Sequence, residues 1–525
     1  MENITIDEFR NFSFLSGLKY SPNKAASAIV ATKANDENGY YKAIFVSKGA
    51  GYFQLTRTDG NVGINEWLDD GHILFSETRN KDVQKKIDDG HEITSFHKIS
   101  INGGEAQKLF DVDATVLKVF PLKNGTFILS AQYDNNRPSL DEKTESEKQD
   151  ALKEFKKEKD YEVIDELPYW FNGAGFTNKK RTVLYHYDSE KLTLLTNHLD
   201  DIDEFKVSPD EQFILFSGVC KPYDVKPLKA NLHLLNIQTK EVKTLLEDDL
   251  FISDFDFYGD NYFLAASSGE KYSYHEHPSF YVLSDKGRLD KLCDFDRSLF
   301  STGNSDCKLG SGRCAKLVGD KYFFLSLDGY RSDVYKLCLK SGNIVNVTNS
   351  GGNIDFFDVS DEKILYVAVK NLDLQEVYLF DNGNTTKVSE FNVSALEGKS
   401  LSSPIHHKVK ISENLEIDGW VIKPVDFERG KKYPTILNIH GGPKTAYVDC
   451  YFHEMQYWAN CGYFVIFCNP RGSDGYGNEF ADIRGLYGTI DYDDIMKFTD
   501  DMCEIYREID EARLGVTGGS YGGYE

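Results

Sequence analysis

The chain has 525 residues, 40% of them hydrophobic and 13% aromatic, which is enough for large cores and for two or more domains. Its formal charge of −24 argues against nucleic acid or an anionic membrane surface as a partner, because both attract basic patches. No run approaches the roughly 18 apolar residues of a membrane span, the acidic start from Met1 to Glu8 is no secretory signal, and nine scattered cysteines without a Cys-x-x-Cys pair suit reduced thiols in a cytoplasm better than disulfides or a zinc site.

A polar turn followed by a short apolar strand recurs along the first 400 residues. The apolar runs are Ala28-Ile29-Val30, Ile73-Leu74-Phe75, Phe127-Ile128-Leu129, Phe213-Ile214-Leu215-Phe216, Tyr262-Phe263-Leu264, Tyr322-Phe323-Phe324 and Ile364-Leu365-Tyr366. Asn, Asp and Gly supply the turns, and the β-branched and aromatic runs are strand material. Behind most of them lies a second pair of strands, such as His233–Ile237 with Glu241–Leu245. Units of about four strands spaced by about 40–60 residues are what propeller blades require, so seven units predict a seven-bladed β-propeller over residues 1–400. A β-sandwich or two unrelated β-domains are the alternatives. One interval is lengthened by a charged insertion at about 139–161, which reads as an exposed helix or loop. The segment from Leu167 to Gly173 after it is dense in aromatic rings that suit either a core or a ligand-facing surface.

From about residue 405 strands alternate with helices, the pattern of a parallel sheet covered on both faces. Gly419–Ile422, Thr435–Ile439 and Phe464–Cys468 read as strands, and Met455–Asn460 as a helix stopped at Gly462. A longer helix follows, with Ile495, Phe498, Met502, Ile505 and Ile509 on one face. Leu514–Thr517 is the strand that feeds Gly518-Gly519-Ser520-Tyr521-Gly522, a Gly-x-Ser-x-Gly nucleophile elbow. Gly518 and Gly522 permit the cramped turn that lifts the Ser520 oxygen out of the sheet. His440-Gly441-Gly442-Pro443 directly follows the strand ending at Ile439, where bare amides suit a developing oxyanion. Gly442 and Tyr521 are the candidate donors.

These stretches, with Asn469-Pro470-Arg471-Gly472-Ser473-Asp474-Gly475-Tyr476-Gly477 and Asp491-Tyr492-Asp493-Asp494, resemble the prolyl oligopeptidase family of serine peptidases. The likeness is greatest to its acylaminoacyl-peptidase and dipeptidyl-peptidase branch. The resemblance implies a propeller capping an α/β-hydrolase domain, here residues 401–525, with short peptides as substrates and no metal or cofactor. It implies Ser520 as nucleophile, the amides of Gly442 and Tyr521 as oxyanion hole, Arg471 as a structural ion-pair partner and His440 as a brace of its loop. The family carries its acid and its histidine beyond the nucleophile, whereas all twelve histidines here precede Ser520. The hydrolase domain is therefore expected to be incomplete, a fragment or truncated product, and the chain inactive as written. An esterase and a non-catalytic peptide- or protein-binding propeller are the other readings. The residues set no oligomeric state, and a homo-oligomer is compatible with them.

Overall fold

The computed structural model describes residues 1–57, 59–140, 143–247, 250–310 and 313–525. All seven apolar runs of the repeat fall in the second strand of a four-stranded antiparallel meander. Those second strands are Ser27–Ala34, His72–Ser76, Phe127–Asp134, Phe213–Val219, Asn261–Ser267, Lys321–Asp328 and Lys363–Val369. Their burial explains why they read as continuous apolar runs: Phe213–Val219 and Lys363–Val369 are buried almost end to end, on both faces. Fourth strands such as Asn384–Lys387 are exposed and polar, and alternation is lost there for the opposite reason. The sixth and seventh meanders are joined by one parallel backbone pairing, Ser332 with Asn353, and by a shared core that includes Leu325, Val334, Ile354 and Tyr366.

The chain divides into two compact units. One comprises Leu55–Ser268 and Tyr281–Asp290. Within it the charged insertion is a helix, Glu145–Lys157, opened by a capping box of Thr144 and Glu147. Leu152 on that helix is buried, and Lys156 Nζ donates to the Asp88 carbonyl at 2.9 Å, so the insertion packs against the helix Lys81–Asp88. Asp141 and Glu142 of the insertion lie outside the described residues. The aromatic segment that follows forms a two-residue ladder, Trp170–Phe171 with Gly175–Phe176, and is surface rather than core: Trp170 is 50% and Phe171 53% exposed.

The other unit comprises Met1–Gln54, Gly269–Phe280 and Lys291–Glu525. Here the first and seventh meanders share a core of Leu15, Ile29, Phe356, Val367 and Val377, and Leu15 N–H donates to Gln375 Oε1 at 2.8 Å. The opening residues also reach the α/β part. Phe12 packs edge-on against Tyr451 and His453, at ring distances of 6.2 and 5.2 Å.

The α/β part contains β1 (Ile405–Ser412), β2 (Leu415–Ile422), β3 (Tyr433–Ile439), β4 (Ala446–Tyr447), α1 (His453–Asn460), β5 (Phe464–Asn469), α2 (Asn478–Ala481), α3 (Ile490–Ile505), β6 (Ile509–Gly518) and α4 (Tyr521–Tyr524). Its main sheet has the order β1-β2-β5-β3-β6. β5, β3 and β6 run parallel, while β1 and β2 form an antiparallel hairpin that also pairs antiparallel with β5, so the sheet is mixed rather than parallel throughout. Side chains alternate between two cores, with Ile417, Val421 and Ile466 facing Phe498 and Met502 of α3. Trp420, Val465 and Phe467 face Met455 and Ala459 of α1 on the other side. Two positions assigned to the α3 stripe differ. Ile505 is exposed, and Ile509 is buried but begins β6, because the helix ends at Ile505 and the chain turns into the sheet. β6 is one of the sheet's two edge strands, and Leu514 and Val516 on it are exposed.

Candidate active site

Ser520 sits between the end of β6 at Gly518 and the start of α4 at Tyr521, with φ 55° and ψ −117°. A non-glycine residue rarely occupies that region, and strain there is a feature of functional turns. Close backbone approach explains the flanking glycines. A Cβ on Gly522 would collide with the Ile439 carbonyl and come within 3.0 Å of the His440 oxygen, and one on Gly518 would strike the Gly522 carbonyl. Both neighbours are main chain and have no rotamer to move. The elbow is thus wedged against the end of β3.

The loop after β3 lies against the serine. A Cβ placed on Gly441 would be 3.2 Å from Ser520 Cβ and 3.8 Å from its Oγ. Gly442 takes φ 130°, open to glycine alone. Neither the Gly442 nor the Tyr521 amide donates to a partner among the described residues, and Tyr521 is the first residue of its helix, where such amides are free by construction. Tyr521 directly follows the serine, and Gly442 follows the Gly441 that lies against it; an oxyanion needs a pair of such free donors.

His440 is committed to this loop. Burial holds its ring near a pKa of about 4, so it is neutral. Nδ1 faces the Gly441 carbonyl at 2.8 Å, which can only accept, leaving Nε2 to accept from the Ser473 hydroxyl at 3.0 Å. Thr445 Oγ1 adds a bond to the same Gly441 carbonyl at 2.6 Å. Ser520 Oγ has no hydrogen-bond partner among the described residues.

Arg471 forms a fork on Asp494, with Nε at 2.8 Å and Nη2 at 2.7 Å, and its own N–H bonds the same carboxylate at 3.0 Å. Asp494 is fully buried on α3, so this pair pins the Asn469–Gly477 loop to the helix. Asp491 accepts from the Tyr521 hydroxyl and from Thr489 N–H, the latter at 2.9 Å. Burial and the Asp491 charge push the Tyr521 phenol far above its usual range, so it stays a donor and holds the residue after the serine in place. Sequence reasoning missed the partnerships of Asp491, Ser473 and Thr445. The acidic run Asp491–Asp494 was visible, but helical spacing alone does not say which carboxylate faces the elbow and which faces the arginine.

The prolyl oligopeptidase family model matches residues 449–525, the stretch that holds the elbow. Over 99% of its length the chain is 28% identical to an uncharacterized peptidase, YuxL, of Bacillus subtilis, of which it covers 79%. Over 100% it is 23% identical to dipeptidyl-peptidase 5 of Porphyromonas gingivalis, covering 76% of that protein. The likeness to named peptidases thus runs over nearly the whole chain. An acylaminoacyl peptidase of Pyrococcus horikoshii superposes on it with a TM-score of 0.77 at 22% identity, over 99% of this chain and 76% of that one. Four-stranded meanders and a mixed α/β sheet share this one chain, and no helix among the described residues is long and apolar enough to cross a membrane.

Proposed function

We propose that the chain carries the nucleophile half of an exopeptidase site, acting on acylaminoacyl or dipeptidyl substrates. The seven meanders of residues 1–400 close into a seven-bladed ring, and residues 401–525 form the hydrolase domain. Ser520 Oγ attacks the scissile carbonyl, the amides of Gly442 and Tyr521 take the negative charge of the tetrahedral intermediate, and its collapse expels the amine and leaves an acyl-serine for water to cleave. The observation that carries this reading is the placement of Ser520, at φ 55° on a strand-to-helix turn, against Gly441 and next to the unpaired amide of Tyr521. The names of the relatives support acylaminoacyl and dipeptidyl substrates, and the buried thiols Cys307, Cys450 and Cys468 fit a reducing cytoplasm.

The attack needs a proton acceptor, and the reading assigns it to no residue among 1–525. His440 is neutral, buried and bonded at both nitrogens, and Ser520 Oγ meets no histidine among the described residues. The 525-residue chain by itself is therefore expected not to turn over.

The test is a chimera in which the segment following the matched serine of the Bacillus subtilis relative is joined after Glu525. Hydrolysis of acyl-amino-acid or dipeptide anilides, abolished by Ser520→Ala and by a serine-directed phosphonate, is the expected result. Fatty-ester turnover without peptide turnover would favour an esterase, and peptide binding without any Ser520-dependent turnover would favour a binding protein; either overturns the proposal.

A further inference from the structure

We infer that His277, carried on the connection between the second and third strands of the fifth meander, is a positioning residue for the oxyanion loop and acts through Asp474. The inference rests on the reading of Gly441 and Gly442 as that loop.

The connection is built to hold a shape of its own. Glu276 accepts the backbone amides of Gly269, Lys271 and Tyr272 at 3.0, 3.0 and 3.1 Å, folding the segment back on itself. The next residue leaves this turn and enters the α/β part. His277 N–H donates to Asn478 Oδ1 at 2.8 Å. Its ring is buried, with Nδ1 3.1 Å from Asp296 and Nε2 3.2 Å from Asp474. Asp474 is itself fully buried, and its other oxygen accepts from Thr302 Oγ1 at 2.6 Å.

Asp474 stands in the loop that carries Ser473 and Arg471. Its own N–H donates to the Thr445 carbonyl at 2.9 Å, and Thr445 in turn bonds the Gly441 carbonyl. Its neighbour Ser473 bonds His440. Two short paths therefore run from His277 to Gly441, one through Thr445 and one through His440, with no solvent-exposed link at Asp474. Burial pushes the Asp474 carboxyl up, but the His277 hydrogen bond and the charge of Lys444 outweigh it and hold the group at about 2. Arg297 and Lys444 are the other cations near the two carboxylates. Lys444, from the oxyanion loop itself, donates to the His275 carbonyl, a second tie between the same two segments.

A ring that merely fills space would be replaced without loss by a side chain of similar volume, whereas a hydrogen-bonded strut needs a donor. Hydrogen exchange of the full chain, read by mass spectrometry, separates the two and does not depend on Ser520 being a nucleophile. In His277→Leu, exchange at the Thr445 and Asp474 amides is expected to rise about tenfold or more while β5 and the propeller strands keep wild-type rates; His277→Gln, which retains a donor, is expected to stay within about threefold of wild type. The double variant His277→Leu/Asp474→Leu should exchange no faster at those amides than the faster single variant, because both remove the same link. Unchanged exchange in His277→Leu, equal acceleration throughout the protein, equal effects of Leu and Gln, or additive effects in the double variant would each overturn the inference.

Discussion

Arg471→Ala offers a quantitative test of how the Asn469–Gly477 loop is held. The guanidinium makes two hydrogen bonds to Asp494, at 2.8 and 2.7 Å, and a third to the Ile490 carbonyl at 3.1 Å. Asp494 is fully buried, while the arginine side chain keeps 27% exposure. Removing one partner of a buried ion pair costs about 3–5 kcal/mol, because the remaining charge is left without compensation. Two features reduce that figure here. The Arg471 backbone N–H, which the substitution keeps, still bonds Asp494 at 3.0 Å, and the partly exposed arginine gives back part of the pair energy to water. The expected cost is about 2–4 kcal/mol, or a fall in melting temperature of roughly 5–15 °C for a domain of this size. Calorimetry should place that loss in the transition of the unit that contains the sheet, with the transition of the unit formed by Leu55–Ser268 and Tyr281–Asp290 unmoved. Arg471→Ala combined with Asp494→Leu should recover part of the loss, since it removes the stranded charge. A single variant that melts within about 2 °C of wild type would refute the assignment of this pair as the anchor of the loop.

The Asp474 carboxyl, held at about 2 in the folded chain against roughly 3.9 unfolded, contributes stability that is complete above about pH 5 and lost as pH falls through 2; urea titrations from pH 5 to 2 should show a loss on the order of 2 kcal/mol that Asp474→Asn abolishes. Gly522→Ala should lower stability by about 1–3 kcal/mol, because the new methyl meets main chain at Ile439 and His440; an unchanged denaturation midpoint would contradict that close approach. The edge strand β6 exposes Val516 at 67%, so the isolated chain should self-associate with rising concentration, and Val516→Lys should suppress it in sedimentation runs. Equal association of the two proteins would place the sticky surface elsewhere.

Much of this was legible in the residues, for physical reasons that also mark where legibility stopped. The seven second strands stood out because they are buried on both faces and so are apolar without interruption, and the elbow and the glycine pair stood out because only glycine tolerates main chain at such distances. The β1–β2 hairpin was half missed: β1 alternates exposed charge with single buried residues such as Val409, and its antiparallel pairing with β2 depends on partners far from any local signal. The ends of α3 were misjudged because the period of 3.6 continues numerically into Ile509, although the chain has already left the helix. The support of the site was out of reach altogether. His277 is 163 residues from His440 in sequence, and nothing in either neighbourhood announces the Asp474 link. Long-range polar contacts leave no periodicity behind.

The central claim, a proposal, is that Ser520 is poised as a nucleophile and that no base for it stands among the described residues. It is tested most directly by measuring anilide hydrolysis for four proteins together: the 525-residue chain, its Ser520→Ala variant, and both again carrying the C-terminal segment of the Bacillus subtilis relative. The account predicts equal background rates for the first pair and a Ser520-dependent rate, at least a hundredfold above background, for the extended wild type alone, in line with the ~10²–10⁴-fold contribution of a positioned general base. Ser520-dependent turnover by the unextended chain would contradict it and would make His440 the first residue to substitute; extended proteins indistinguishable from each other would remove Ser520 from the site.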